Sequence, residues 1–419
     1  MTHHEPPMPL AGAPLAGAPL PGTPLAGIRV ADFTRILAGP YATMMLADFG
    51  ADVVKIESPL GDDTRRWLPP ADEHGDSTYF SGVNRSKRSV VCDLRTPQGL
   101  ATARRLAHTA DVVIENFLPG TMERFGLGDA AVRAANPGVV YCSITGFGPG
   151  SDLPGYDLLV QAVGGLMSVT GAADGPPTKA GVALVDVLTG LNAFSGILLA
   201  LRARETTGLG DHLDVDLLST LLAALTNQAS SALATGIDPG RLGNAHPSIA
   251  PYELFACQDR ELVIAVGNDR QFAALSDELG RPDLPADERF RSNAQRVSHR
   301  DALRRELESV LRTAPAAHWK QRLDARDVPA GLVNTITEAV ALAESLGAHP
   351  VQELVDDRGE VAGRQPANPI HLAGSPPRPG RAAPALGQHD DADWLPSAAP
   401  TLRHSTPDDD PGTHRQEPR

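Results

Sequence analysis

The sequence is poor in lysine, cysteine and aromatic residues. Its 419 residues include four lysines, three cysteines and 4% aromatic residues, and the formal net charge is −14. This acidic surplus repels phosphate backbones and anionic lipids, which excludes nucleic acid and an anionic membrane as the main partners. Nearly all of the 37 basic residues are arginines. We therefore expect an anionic ligand to be held by arginine side chains and backbone N–H groups.

The cysteines follow no disulfide or metal-binding pattern. Cys92, Cys142 and Cys257 are odd in number, widely separated and embedded in apolar, strand-like segments. No Cys-x-x-Cys spacing occurs among them. We expect three buried free thiols, a reducing cytoplasm and no metal site.

One long apolar stretch contains a single charged residue. Between Lys179 and Arg202 the only ionisable side chain is Asp186. From Val187 onward, apolar residues recur every three or four positions, which predicts a helix with one broad apolar face. Such a stretch is long enough to cross a membrane, but its polar residues make that costly and no second candidate exists. The pattern favours a core helix of a soluble protein.

Asp186 lies at or just before the first turn of this predicted helix. It is either a simple helix cap or a reactive group. A carboxylate at a helix N-terminus accepts backbone N–H bonds and is favoured by the helix dipole, so we expect it to stay ionised. An ionised carboxylate in poorly hydrated surroundings is a usable nucleophile.

The length of the chain predicts more than one domain. Residues 1–24 repeat Pro, Leu, Ala and Gly without the features of a signal peptide, and residues 396–419 are rich in Pro, Asp and Ser. Both ends are predicted to be disordered tails. Gly- and Pro-rich sequence at 236–251 indicates a linker. The predicted units are a large domain at 25–224, a small domain at 225–335, and a C-terminal return to the large domain or to a partner subunit at 336–395.

The first half of the chain alternates strands and helices. Continuous Val and Ile runs are separated by helical segments, which is typical of a parallel sheet covered on both faces. Predicted helices include 40–50, with Pro40 in its first turn, and 97–109. The predicted fold class is α/β, with a Rossmann-like large domain of mostly parallel sheet and a smaller α+β domain. Two strand-like segments follow near the C-terminus, at 351–357 and 368–374.

A Rossmann-like sheet raises the possibility of a bound dinucleotide. The turn after the first strand, residues 32–40, lacks the G-x-G-x-x-G fingerprint. A later glycine-rich turn at 146–150 follows a strand but leads into an irregular segment. NAD binding is therefore not expected.

A series of segments occurs in an order and at separations typical of one family. They read GIRVADFTRILAGPYATMMLADFGADVVKIESP, NRSKRSVVCDL, DVVIENFLPGTMERFGLG, SITGFGPG, PGYDLLVQAVGGLMSVTG, ALVDVLTG, HPSIAPYELF, AVGNDRQF and RAAPALGQH. Together they resemble CoA-transferase family III, also called the CaiB/BaiF family. The resemblance extends from Leu25 to about Trp394.

The resemblance implies reversible transfer of CoA from an acyl-CoA to a small carboxylic acid. In the family, the aspartate that matches Asp186 attacks the thioester, and the reaction passes through an anhydride and an aspartyl-CoA thioester. No prosthetic group or metal is then needed, because CoA enters as part of the substrate. Family members also form an interlocked, ring-like homodimer, whose linkers would here be 236–251 and 328–350.

The resemblance also assigns positions to CoA binding. The loop after the first strand contacts the nucleotide through its backbone, and later residues line the CoA groove. Ser58 stands where several relatives carry arginine, which moves that phosphate contact to Arg95 or Lys87. An ordinary surface role stays open for each of these charges. The positions expected to bind CoA are Ile36, Leu37, Ala38, Lys87, Arg95, Asn116, Phe117, Arg124 and Tyr156.

Three further residues are candidates for substrate contacts. The glycine pair Gly164 and Gly165 would offer N–H donors to the reacting oxyanion if its loop approaches the site. His246 lies in a segment that resembles users of succinyl-CoA and short dicarboxylates. It is either a contact for the distal carboxylate or a turn histidine. The glycine-rich lid of formyl-CoA transferases is not evident, which argues against oxalate and formyl-CoA.

Two other functions remain open. An α-methylacyl-CoA racemase needs acid and base groups on both faces of the α-carbon. Racemases that resemble this family carry a His-Asp pair where this chain has Tyr156 and Asp157, and tyrosine, with an ordinary pKa of about 10, is a poor proton shuttle. The second alternative is a catalytically silent CoA-binding protein, against which the intact Asp186 argues.

Overall fold

The structure is a computed structural model that describes residues 22–390 and 393–395. The tails predicted at 1–24 and 396–419 lie outside the described residues, except for residues 22–24.

A six-stranded parallel sheet forms the centre of the larger part of the protein. Its strands are β1 (Arg29–Asp32), β2 (Asp52–Glu57), β3 (Arg88–Val91), β4 (Val112–Glu115), β5 (Val140–Thr145) and β6 (His212–Asp216). The spatial order is β3-β2-β1-β4-β5-β6, so the order reverses between β1 and β4. The inner strands are buried on both faces, as their continuous Val and Ile runs predicted. The expected α/β fold with a parallel sheet is confirmed.

Helices cover both faces of this sheet. They are α1 (Ala38–Asp48), α2 (Thr78–Asn84), α3 (Pro97–Thr109), α4 (Thr121–Arg124), α5 (Asp129–Ala135), α6 (Asp157–Val163), α7 (Leu166–Val169), α8 (Leu184–Thr207), α9 (Leu217–Ala224) and α10 (Thr226–Thr235). The start of α3 shows the local cause: the Thr96 side chain accepts the Gly99 N–H, and Pro97 occupies the first turn.

The apolar stretch around Asp186 forms α8. This helix packs against α1, α9, β5 and β6, and its residues Val185, Phe194 and Ile197 belong to the main core. Gly190 lets α8 approach α1, because an added Cβ would lie 2.6 Å from the Ala38 carbonyl oxygen. Within the described residues, α8 alone is long and apolar enough to span a membrane. Its packing against the sheet is that of the predicted core helix.

A second core lies between residues 250 and 332. Its apolar side chains come from an antiparallel sheet, in which β8 pairs with both β7 and β9, and from amphipathic helices. The elements are β7 (Tyr252–Ala256), β8 (Glu261–Ala265), α11 (Asp269–Glu278), α12 (Asn293–Ser298), α13 (Arg300–Leu311), α14 (Ala316–Asp324) and β9 (Ala330–Leu332).

The C-terminal segment forms a third, small sheet. The segment begins with α15 (Ile336–Ser345). The strands of its sheet are β10 (Val351–Val355), β11 (Val361–Pro366) and β12 (Gly380–Arg381). The strand predicted at 368–374 is wrong, because this segment is irregular and the partners of β10 are β11 and β12. Asn368 instead donates its side-chain N–H to the Asp48 carboxylate at 3.0 Å, and the Arg378 N–H donates to the Asp48 carbonyl oxygen at 2.7 Å. The segment therefore packs against the end of α1.

Candidate active site

A cavity of about 510 Å³ opens at the carboxyl ends of the central strands. Its walls include residues 35–38 after β1, residues 116–119 after β4 and residues 144–146 at the end of β5. Ala183 and Asp186, at the start of α8, also line it. In open parallel sheets, ligands bind at the carboxyl ends of the strands where the strand order reverses. The cavity lies at that reversal.

The loops after β1 and β4 are joined by a reciprocal pair of hydrogen bonds. The Arg35 N–H donates to Asn116 Oδ1 at 2.9 Å, and Asn116 Nδ2 donates to the Arg35 carbonyl oxygen at 2.8 Å. The Arg35 guanidinium also lies 5.1 Å from the centre of the Phe117 ring. The structure thus brings Asn116 and Phe117 together with residues 36–38 at one cavity.

The loop after β1 contains a strained residue. Ile36 has a φ of 71°, a left-handed conformation that is unfavourable for a β-branched side chain. Its N–H points to the Asp62 carboxylate, with Oδ2 at 3.3 Å. The loop therefore reaches its shape without the glycines of a dinucleotide-binding turn, and a buried acid holds it there.

A buried ionic cluster lies beneath this loop. Lys55 Nζ is 2.9 Å from Asp62 Oδ2 and donates to the Thr34 carbonyl oxygen at 2.8 Å. Lys87 Nζ is 3.1 Å from Asp32 Oδ2, and the four charged side chains are fully buried. Burial raises the pKa of Asp32, but the charges of Lys87 and Lys55 outweigh it and hold that pKa below its usual value. The cluster fixes the cavity loop from below.

Lys87 is not placed to contact a phosphate, and the prediction for it is corrected. Its side chain also donates to Asn84 Oδ1 at 2.8 Å and to the Pro40 carbonyl oxygen at 3.0 Å. Burial lowers the pKa of Lys87 to about 8, against the opposing charge of Asp32. A side chain with no exposed surface and three partners cannot reach a ligand in the cavity.

Arg95 and Arg124 lie away from the cavity. Arg95 is exposed and forms an ion pair with Asp93 at 2.8 Å. Arg124 ends α4 and donates to Thr121 Oγ1 at 3.1 Å. Neither lines the cavity, so a contact between either residue and CoA stays a prediction.

The glycine pair and His246 also lie outside the cavity lining. The Gly164 N–H donates to the Val160 carbonyl oxygen at 2.8 Å, so in this structure it is not available to an oxyanion. Gly165 starts α7 with a φ of 91°. His246 Nδ1 accepts the Ser248 N–H at 3.1 Å, and its ring contacts Tyr252. This is the turn contact that was one of the two interpretations of His246.

Asp186 occupies the first turn of α8 but does not cap it. The residue at the cap is Ala183, and the carboxylate that accepts the helix N–H groups belongs to Asp157. Asp157 Oδ1 lies 2.8 Å from the Val185 nitrogen and 3.3 Å from the Asp186 nitrogen. The interpretation of Asp186 as a simple helix cap is therefore wrong.

The Asp186 carboxylate itself has little stabilisation. The residue is 9% exposed, and within residues 22–390 and 393–395 no group donates a hydrogen bond to its carboxylate. Burial, together with the charge of Asp157, raises the pKa of Asp186 to about 7. The expectation that the helix end holds Asp186 firmly ionised is corrected, because another aspartate occupies the helix N–H groups.

Several cavity residues carried no sequence signal of their role. Tyr79 lines the cavity beside Trp67, and burial together with the charges of Asp186 and Asp157 raises its pKa to about 12. Lys179 also lines it, and its Nζ donates to the Ala180 carbonyl oxygen at 3.0 Å. The scarcity of lysine was the available hint for Lys179. In the described part of the chain, no cluster of His, Cys, Asp and Glu suits a metal ion.

The comparison with known proteins agrees with this geometry. The sequence model of CoA-transferase family III matches residues 25–390. The chain belongs to this family. The succinate–glutarate CoA-transferase of Agrobacterium fabrum is 43% identical over 376 residues, which cover 86% of this chain and 92% of that protein. The acetyl-CoA:oxalate CoA-transferase of Acetobacter aceti is 41% identical over 350 residues, covering 82% of this chain and 88% of that protein.

A solved structure extends the likeness to the fold. The crystal structure of a CaiB/BaiF family protein from Brucella suis matches with a TM-score of 0.80 and 41% identity, covering 88% of this chain and 98% of that one. The protein is an enzyme that transfers CoA between an acyl-CoA and a carboxylate, as the sequence motifs predicted.

Proposed function

We propose that the enzyme transfers CoA from succinyl-CoA to a short dicarboxylic acid, with Asp186 as the nucleophile. The observation that carries this proposal is the position of Asp186. Its carboxylate lies at the ligand cavity of the sheet, is nearly buried, and accepts no hydrogen bond from the described residues. A carboxylate with these surroundings is poorly solvated and reactive.

The transfer consists of two exchanges. An Asp186 oxygen attacks the thioester carbon of the donor, the C–S bond breaks, and a mixed anhydride and the CoA thiolate result. The thiolate then attacks the Asp186 side-chain carbon of the anhydride, which releases the donor acid and leaves an aspartyl-CoA thioester. The acceptor carboxylate attacks that thioester, and the same two exchanges run in reverse. Each step replaces one activated acyl group with another, so the balance needs no ATP, oxidant or metal.

The raised pKa of Asp186 suits this role. With a pKa of about 7, the group is more basic than an ordinary aspartate yet substantially ionised at neutral pH. Nucleophilic and base strength rise together along a series of similar groups. Val182, Ala183 and Leu217 line the same cavity and offer no competing nucleophile to the activated intermediates.

The CoA end of the substrate is placed at the loop after β1. Leu37 and Ala38 line the cavity where α1 begins, and no side chain caps this helix. Helix N-termini bind phosphate through their free N–H groups. Ile36, Asn116, Phe117 and the exposed Tyr156 complete the lining on this side.

Lys179 supports a dicarboxylic acceptor. It is a cation at the cavity without an acidic partner in the described part of the chain. One carboxylate of the acceptor reacts at Asp186, and we assign the distal one to Lys179. The names of the two relatives include glutarate and oxalate, so they support the dicarboxylate class without selecting a chain length, and the second name weakens the sequence argument against oxalate.

The proposal includes an interlocked homodimer in the cytoplasm. Helices α10 and α15 bury no residue within the chain. Leu233, Ile336 and Leu346 on or next to them are 88%, 86% and 77% exposed. Such apolar exposure is typical of a surface covered by another subunit. Sedimentation velocity at micromolar concentration tests this, and a stable monomer would contradict it.

The adduct at Asp186 is the decisive test. With succinyl-CoA and no acceptor, the enzyme should accumulate a thioester that hydroxylamine converts to a hydroxamate and borohydride reduces. Cleavage after Lys179 and Arg202 releases Asp186 in one peptide, residues 180–202, which mass spectrometry can identify. Label in any other peptide contradicts the assignment.

Two variants and an acceptor panel complete the test. Asp186→Asn should fold, bind CoA and form no adduct, whereas Asp174→Asn, on an exposed loop nearby, should keep full turnover. Full turnover of Asp186→Asn, with deamidation excluded by mass, would refute the nucleophile. In the panel, faster transfer to monocarboxylic than to dicarboxylic acids would refute the substrate class, and deuterium uptake at the α-carbon of a 2-methylacyl-CoA would favour the racemase alternative.

A further inference from the structure

The start of α8 is held by a side chain from α6. Asp157 Oδ1 accepts the N–H groups of Val185 and Asp186, and Asp157 Oδ2 accepts a hydrogen bond from Gln161 Nε2 at 2.6 Å. Gln161 lies one turn further along α6 and is fully buried. Its Oε1 accepts the Ala180 N–H at 2.8 Å. Two side chains of one short helix thus hold both ends of the segment that carries Asp186 to the cavity.

This arrangement also sets the charge around Asp186. The other titratable side chains that line the cavity are Arg35, Asp63, Tyr79, Tyr156, Asp157 and Lys179. Arg35 pairs with Asp63 at 3.4 Å, and the Lys179 Nζ binds a carbonyl oxygen. Neither cation forms an ion pair with Asp186 or Asp157. The two aspartates are therefore neighbours of like charge.

We propose that Asp157 is a positioning residue for the transfer, which occupies the helix N–H groups and keeps the Asp186 carboxylate an unstabilised, reactive anion. This inference rests on the proposed role of Asp186 as nucleophile. Without Asp157, the first N–H groups of α8 would be free to bind the Asp186 carboxylate, which would lower its basicity. With Asp157 in place, those donors are occupied and a second negative charge lies beside the nucleophile.

The repulsion between Asp157 and Asp186 assists the reaction because it is present before Asp186 is acylated and absent afterwards. In the reactive form of the free enzyme Asp186 is an anion beside the carboxylate of Asp157, whereas Asp186 is neutral in the anhydride and in the aspartyl-CoA thioester. Forming the acyl bond therefore removes the repulsion, so its free energy favours the intermediates over the free carboxylate. Burial, followed by the charge of Asp157, raises the pKa of Asp186 to about 7, in agreement with this view.

The first test is the pH profile of Asp157→Asn. The amide keeps an oxygen that can accept both N–H groups, removes the charge and loses the acceptor for Gln161 Nε2. The acid limb of kcat/KM, expected near pH 7 in the parent enzyme, should move to lower pH by about one unit or more, and kcat above pH 8 should fall roughly threefold to tenfold. The matched control is Asp216→Asn, since the Asp216 side chain accepts the Ser219 N–H at 2.7 Å at the start of α9 without lining the cavity. Its limb should not move.

A second measurement follows the same ionisation without turnover. The melting temperature is recorded against pH with and without Asp186→Asn, first in the parent and then in the Asp157→Asn background. The difference between the paired curves levels off above the pKa of Asp186 in the folded protein. This should occur near pH 7 in the parent and at least about one unit lower in the Asp157→Asn background.

The two measurements separate this inference from the proposed function. If Asp186→Asn is inactive but neither profile moves in Asp157→Asn, the role of Asp157 is refuted and the nucleophile stands. If the melting curves shift as expected but Asp186→Asn keeps its turnover, the nucleophile is refuted and with it the catalytic role of Asp157. Should Asp157→Asn fail to fold, Asp157→Ser keeps an uncharged acceptor suited to a helix start and must show the same shifts.

Discussion

Two buried aspartates in this enzyme occupy opposite environments. Asp32, at the end of β1, accepts hydrogen bonds from the Thr34 and Thr43 hydroxyls and pairs with Lys87. Asp186, at the start of α8, has no donor for its carboxylate in the described chain and has Asp157 beside it. The pKa of Asp32 is held low by its lysines, whereas the pKa of Asp186 is raised to about 7.

The difference separates a carboxylate that supports the structure, Asp32, from the one that we propose to react, Asp186. A fully paired carboxylate stays ionised, but its oxygens are engaged in hydrogen bonds and ion pairs that stabilise the charge. It can therefore hold a loop but cannot attack a thioester. An unpaired carboxylate destabilises the fold when it ionises and is reactive for that reason. The first two of the four predictions below test this contrast by placing the same substitution at the two aspartates, and the last two test the contacts around Asp186.

Asp186→Asn should have the largest effect, and it should act on activity and stability in opposite directions. Turnover should fall roughly 10³-fold or more, because an amide cannot form the anhydride. Because folding raises the pKa of Asp186 to about 7, its ionisation opposes folding, and the contribution of this group to stability falls as pH rises from about 4 to about 7. The variant lacks this loss, so it should be more stable at pH 8, by at most roughly 4 kcal/mol, and unchanged near pH 4. Thermal melts at both pH values check the sign.

Asp32→Asn should destabilise the protein at the same pH 8. It leaves Lys87 and Lys55 buried without a full set of counter-charges, which costs about 3–5 kcal/mol when one partner of a buried pair is lost. Because Lys55 also binds the Thr34 carbonyl oxygen of the cavity loop, KM for acyl-CoA should rise more than kcat falls. Denaturant unfolding and steady-state kinetics measure the two effects. A stability equal to that of the parent would mean that the cluster is not needed.

Gly190→Ala should disturb the close contact between α1 and α8. The new Cβ would lie 2.6 Å from the Ala38 carbonyl oxygen, which is backbone and cannot rotate away. We expect the free energy of unfolding to fall by about 1–3 kcal/mol and KM for acyl-CoA to rise. Gly196→Ala is the matched control on the same helix, because its new Cβ would meet the movable Leu213 side chain. Equal losses in both variants would show that no specific contact with Ala38 is involved.

Lys179→Met should have the smallest effect, confined to the acceptor. If Lys179 binds the distal carboxylate, transfer to dicarboxylic acids should fall about tenfold, equivalent to about 1.4 kcal/mol, while transfer to monocarboxylic acids stays constant. Lys320→Met, at a surface pair with Asp324, should change neither rate. The ratio of the two acceptor rates is the measurement. A proportional fall for both acceptors would argue against a contact with the distal carboxylate.

The elements of the fold were predictable because their signals are local. The Val and Ile runs indicated the parallel strands, and the helix predicted at 97–109 matches α3. Asp186 could be singled out as the one charge in an apolar stretch. The wrong strand at 368–374 contains apolar residues too, but Asn368 and its neighbours pack against α1 through irregular backbone. Composition alone does not distinguish a strand from an irregular segment that packs against a helix.

The errors in the site come from contacts distant in sequence. Lys87 was expected at the CoA groove, yet its partner Asp32 lies 55 positions earlier, and nothing next to Lys87 indicates that buried acid. Asp157 was named only as the neighbour of Tyr156 in the comparison with racemases, because its contact with Asp186 spans 29 positions. A single sequence contains no measure of such pairings, which fold topology alone creates.

The close approach of α1 and α8 at Gly190 affects how acceptor preference can change in variants of this enzyme. It joins the loop that we assign to CoA and the helix of the proposed nucleophile into one unit, which suits the part of the substrate that is the same in every reaction. We expect the variable part, the acyl group, beyond Asp186, against the cavity residues of segments 151–155 and 179–183. Substitutions in those two segments can alter the choice of acid while the CoA side stays intact, so new specificities can arise without a new mechanism.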